Sequence, residues 1–261
     1  MTWQNPAILY DNRLDNGTPV SSVTVDTGYS VLSLRDWRNY TFWQATGAGP
    51  FYITVNCASA KTANTLCILS HNLGTIGATV SLECSSDNFS TDTTVALSGF
   101  VPTNDKIIYK QFTSQNKQYW RLKITVPASS SPRMAILCFG TRLDFPYGVT
   151  APYDPLPQRI QSESNSSQAG NLLGSIVDYH EINPKPQWQY LSATWVRDTF
   201  MAFWDNHAQG MTPFIWSWEP GDHPADTMLV SVKADSGMQI AYESGQTIMN
   251  ISLDLVGIKE T

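Results

Sequence analysis

QYWRLKITV, residues Gln118 to Val126, alternates without a break. Trp120, Leu122, Ile124 and Val126 fall on one side, and Tyr119, Arg121, Lys123 and Thr125 on the other. A period of two is the mark of a strand with one dry face and one wet face. Working outward, FYITVNC (Phe51 to Cys57) and ATVSLEC (Ala78 to Cys84) show the same pattern, and MAILCFGTRLDFP (Met134 to Pro146) is a further strand-like run. Further runs at Thr65 to Ser70, Thr94 to Leu97 and Ile107 to Phe112, with a short one within Val20 to Gly28, bring the count to about eight short strands. AGP, HNLG, SSDNFS, PTND, SQNK and ASSSP supply the turns between them, and the first forty residues read as loop-rich. The pattern predicts a sandwich or jelly roll over residues 1–146.

Composition agrees. Charged residues make up 15% and hydrophobic residues 42%, with nine Trp, eleven Tyr and ten Phe. Helix formers are scarce, while Thr, Ser, Val and Gly abound, which predicts a mostly β protein. No apolar run is long enough for a membrane-spanning helix. The start, MTWQNPAILYDNR, has no basic segment followed by an apolar one. No secretory signal is therefore expected, and synthesis in a reducing cytoplasm is. Cys57, Cys67, Cys84 and Cys138 lie in apolar runs without a CxxC pair or zinc spacing. They read as buried thiols packing as small hydrophobes.

Residues 147–171 read as a linker or arm. PYGVTAPYDPLP (Pro146 to Pro157) carries four prolines, too many for a central strand or a helix. The polar stretch QRIQSESNSSQAGN follows. A second unit, 172–261, then reads as strands around one helix at 194–209. Thr194 is placed to cap that helix and Gly210 to end it. Val196, Phe200, Phe203, Trp204 and His207 form its apolar stripe. Residues 1–146 carry 11 Lys and Arg against 9 Asp and Glu, a net +2. Residues 147–261 carry 5 against 13, a net −8. So acidic a unit has little with which to grip phosphates.

Catalytic signals are missing: there is no GxSxG, HExxH, P-loop or GxGxxG. The chain is therefore expected not to be an enzyme, and no cofactor or metal is expected. Asp178 and His180 read as a surface pair on a strand. WEPGDHPAD holds Glu219, Asp222, His223 and Asp226, an oxygen-rich set that reads first as a hairpin loop. Trp37, Arg38, Tyr40, Phe42 and Trp43 form an aromatic-basic cluster. Two readings stand for it: packing at the base of the sandwich, which is favoured, or a face on which sugar rings stack. His71 and Asn72, just after a strand, read equally as polar contacts at the sandwich edge and as turn residues only. The glycan-binding candidates are thus Trp37, Arg38, Trp43, His71 and Asn72.

From about Ala7 to Leu143 the chain resembles a discoidin-type, galactose-binding-like jelly roll. The resemblance is carried by YTFWQAT, FYITVNCASAKTANTLCILSHNLG, ATVSLECSSDNF, KQYWRLKITV and MAILCFGTRLDF. The two-unit whole resembles tailed-bacteriophage tail-tip proteins of the distal tail or baseplate class. WVRDTFMAFWDNHAQGMTPFIWSW (Trp195 to Trp218) and the long terminal strand carry that second likeness, with the two units in reversed order. It implies a virion component that forms a homo-oligomeric ring, usually of six copies. The ring would join the tail tube to the adsorption apparatus and let DNA pass without specific binding. Its implied partners are the tail tube, tape-measure and tail hub proteins, with host-surface glycans touched by the sandwich. A rival reading is a carbohydrate-binding protein whose second unit is only an anchor.

Overall fold

Trp120, Leu122 and Ile124 lie fully buried, as their alternation requires, in a sandwich built from residues 7–143. The computed structural model describes residues 3–258 except 24, 48, 128, 129, 235–237 and 244. By contact density these divide into two compact units, 7–143 and 144–258 with 3–6. The expected ASSSP turn and the start of the expected SGMQIAYES strand lie partly outside the described residues.

The sandwich strands are β1 (Ala7–Asn12), β2 (Val20–Ser21), β3 (Trp43–Gln44), β4 (Phe51–His71), β5 (Thr79–Ser85), β6 (Thr94–Phe100), β7 (Ile108–Thr125) and β8 (Arg133–Asp144). All recorded pairings among them are antiparallel. β4 and β7 each replace two expected short strands. Their first ladder matches Phe51 with Ile124 and runs to Asn56 opposite Tyr119. β5 and β6 extend that sheet. Their second ladder matches Thr65 with Gln111 through Ile68 with Ile108, and β8 continues that sheet from the other side of β4. Register shifts between Asn56 and Lys61 and between Ala63 and Thr65 mark the corner. Strands that switch sheets turn through such irregularities. SQNK is therefore not a turn: Gln115, Asn116 and Lys117 pair with Ala63, Thr62 and Lys61 as the strands round the corner.

Between the layers lie Trp43, Phe51, Leu66, Ile68, Trp120, Leu137 and Phe139, all buried. The four cysteines are free and buried. AILYDN, read as part of a loop-rich start, is strand β1 beside β8. It comes close because Gly140 faces it: a Cβ there would stand 1.9 Å from the Asp11 carbonyl oxygen.

In the second unit come β9 (Gln158–Ser166), β10 (Leu172–Ile182), β11 (Gln187–Ser192), β12 (Phe214–Ser217), β13 (Met228–Val232), β14 (Met238–Tyr242), β15 (Ile248–Leu253) and β16 (Leu255–Ile258). One sheet runs β12-β13-β16-β10-β9 and another β11-β15-β14. The single terminal strand expected from alternation breaks at Asp254 into β15 and β16, which join different sheets. Phe145 stacks on Trp188 at 3.8 Å and meets Trp216 edge-on at 6.1 Å, seeding the core.

The helix is α-helical at Ala193–Trp195, π-helical at Val196–Phe200 and α-helical again at Met201–Asn206. Val196, Phe200 and Phe203 are buried as the stripe required. Its expected ends are corrected. Ser192, without a capping bond, precedes the first turn, because Thr194 already lies inside it. His207 closes the helix, and Met211, in place of Gly210, takes the left-handed conformation after the final short turn. No helix among the described residues is long and apolar enough to cross a membrane.

Candidate functional site

Because β4 and β7 fold over, both of their ladders start and finish toward one end of the sandwich. Hydrogen bonds knit the loops there. Ala45 N–H donates to the Pro132 carbonyl, and Thr75 N–H to Asp105. Asn72 is clamped: its N–H donates to the Arg133 carbonyl, its Nδ2 to the Ser131 carbonyl, and its Oδ1 accepts from Arg133 N–H at 2.8 Å. Asn72 thus fixes the start of β8 and has its amide engaged with its own chain.

His71 is also spent on structure. Nε2–H donates to the Lys106 carbonyl at 2.9 Å and Nδ1 accepts from Leu73 N–H at 3.2 Å. That pattern sets the tautomer and needs a neutral ring. Burial pushes its pKa below the ordinary value, outweighing the Lys106 carbonyl and Asp105. Trp43 is buried in the core, paired with Met134, and its indole N–H donates to Ser21 Oγ at 3.3 Å. A ring with no exposed face has none to offer a sugar. The packing reading of the cluster therefore holds for Trp43.

The rest of the cluster differs. Asp36 braces the loop, accepting from Arg38 N–H at 2.9 Å and from Thr41 Oγ at 2.7 Å. Trp37 sits at φ 60° and half-buried, while Arg38 is exposed and Tyr40 is 70% exposed. Phe42 is half-buried, with the exposed Arg133 guanidinium 4.6 Å from its ring centre. The braced loop and the start of β8 therefore offer a shelf: Tyr40 exposed on the loop, Arg38 exposed two residues before it, and Arg133 exposed against Phe42. Aromatic faces suit the C–H faces of sugars, and guanidinium groups suit hydroxyls or carboxylates. Sequence reading placed Tyr40 in the cluster but missed Arg133, which no local pattern around SSPRM marks.

Other candidates are already satisfied. Glu219 accepts backbone N–H groups from Gln4, Gly221 and His223 at 2.8–3.2 Å, and a further one from Asp222. Burial would raise its pKa, but these donors hold it below the ordinary value. Its carboxylate closes the loop, and no group of three or more metal-ligating side chains occurs among the described residues. Asp178 falls in a bulge of β10 beside exposed Tyr179.

No family model matches the chain, and no curated protein matches it. Solved structures do. A CBM32 module from Clostridium perfringens in complex with GalNAc-β-1,3-galactose is 15% identical, covering 51% of this chain and 99% of that one, with a TM-score of 0.43. A chitosan-binding module from a Paenibacillus chitosanase/glucanase is 18% identical over 51% of this chain and all of that one, TM-score 0.43. The family 32 module of C. perfringens NanJ in complex with galactose is 13% identical over 53% and 99%, TM-score 0.42.

Proposed function

We propose that this is a carbohydrate-binding protein that acts without catalysis, reading a glycan with the loop end of its sandwich. The observation that carries the reading is the shelf of Trp37, Arg38, Tyr40, Phe42 and Arg133, held by Asp36 and Asn72 before any ligand arrives. A preordered site loses less entropy on binding. The two arginines favour sugars carrying carboxylates or clustered hydroxyls. Glycan-array screening of the full chain, followed by calorimetry on the best hit, tests this. Tyr40→Ala is expected to weaken binding about tenfold or more, in line with losing one stacked ring, with the melting temperature unchanged. Equal affinity in Tyr40→Ala and Arg133→Ala would overturn the site.

A second reading is an assembly component, a phage tail-tip ring joining tube to adsorption apparatus. One observation favours it. β9 and β10 form a two-stranded ribbon whose residues are almost all exposed, including Ile160, Leu173 and Ile176. Self-pairing between copies would cover such a ribbon, and the net −8 of the second half suits a conduit that does not grip DNA.

A further inference from the structure

The ribbon has a free edge. β10 pairs with β16 only through Glu181 and Ile182 among the described residues, while β9 pairs with β10 from Gln158 to Ser166 and ends the strand order, with no further strand paired to it among the described residues. Two strands alone are marginal in water. An open edge is also a template for another strand. Here the exposed apolar residues lie on both faces. Ile160 and Val177 share one, Ile176 and Tyr179 the other, from their register opposite Ser162, Glu163 and Gln161.

The residues of β9 are complementary to themselves. QRIQSES, residues 158–164, carries Arg159 two positions before Gln161 and Glu163 two positions after it. In an antiparallel pair centred on Gln161, Arg159 of one copy stands opposite Glu163 of the other, twice over. Both side chains lie on the same face of the ribbon, since they are four residues apart. Gln161 meets its own copy, and the two Ile160 side chains become diagonal neighbours within reach of each other. Any other register loses both charge pairs.

We propose that β9 is a self-association edge: two copies of this chain join antiparallel through residues 158–164, making a four-stranded sheet about a twofold axis. This rests on the exposed ribbon that favours the assembly reading above, gives a closed pair of copies and not the ring contact itself, and is independent of glycan binding. The charge pattern selects a second copy over an unrelated strand, because one segment supplies both halves of each pair. An isologous contact of this kind closes on itself as a dimer.

Sedimentation velocity of the full chain, at low salt and over a range of concentrations, tests the pairing. The wild type is expected to form dimers. Arg159→Glu and Glu163→Arg each place like charges opposite one another twice, weakening association about tenfold or more. The double variant R159E/E163R is expected to restore it. Across an antiparallel pair the Cα atoms come within disulfide range. Gln161→Cys is therefore expected to oxidise to a covalent homodimer, and Gln168→Cys, in the ribbon turn, is not. An oligomer that survives both single swaps, or cross-links equally at both positions, would sink this pairing and leave assembly to another surface. A strict monomer at every concentration would sink the pairing and the assembly reading together.

Discussion

Single residues decide how this sandwich is held and how it responds to acid. Gly140 marks where β1 reaches β8, and Gly140→Ala would drive a methyl group into the Asp11 carbonyl. Backbone cannot yield there as a flexible side-chain tip does. The variant is expected to lose roughly 1–3 kcal/mol, read as a lower midpoint in urea. His71 gives a pH dependence. Its ring is neutral in the fold and its pKa is lowered, whereas an unfolded chain takes up the proton near the ordinary value of 6.5. The unfolded state then binds more protons on acidification. His71's contribution is thus complete above pH 6.5 and is lost as the pH falls below it, toward the lowered folded pKa. Melting curves between pH 7.5 and 5 are expected to show this decline, and His71→Gln to flatten it. An identical slope in the variant would reassign the effect. Neither role was legible beforehand. Sequence leaves His71 open between a polar contact and a turn residue, since a histidine after a strand looks alike whether its nitrogens face solvent or a neighbouring loop.

Among the elements, the strongly alternating ones were readable and the polar ones were not. β5 and β8 stand close to their expected bounds because β5 alternates in sequence and β8 is a continuous apolar run, buried on both faces from Met134 to Gly140. β4 and β7 were read as pairs of short strands because alternation fades where they round the corner and both faces become wet. β9 was read as an arm or loop for the same reason: QRIQSESNS buries nothing, so it carries no period. The ribbon's hydrogen bonds lie open to water on both faces. At dilutions where copies are separate, amides of residues 160–180 are expected to exchange hydrogen orders of magnitude faster than those of β4 at Leu66 to Leu69. Comparable protection in the two would show that the ribbon is covered within one copy. The helix was legible from its stripe. Its π-helical segment was not, since one extra residue in a turn leaves the apolar set intact.

At the scale of the molecule, two β-rich units follow from sequence, and their membership does not. The Pro-rich stretch after Pro146 signals a boundary, because proline cannot serve a ladder. Yet residues 3–6 belong with the second unit, where Phe145 N–H donates to the Pro6 carbonyl and Gln4 N–H to Glu219. Hydrogen bonds so remote along the chain leave no local pattern. The same distinction separates the shelf from its supports. Sequence alone determined the mostly β class, the layered core and the aromatic-basic segment 37–43, because burial on one face forces a period of two and clusters of rings are visible one residue at a time. Only the tertiary structure decided which of those rings reach solvent. Trp43 turns into the core while Tyr40 stays out, and Arg133 arrives from ninety positions away, because exposure depends on what the rest of the chain packs against each side chain.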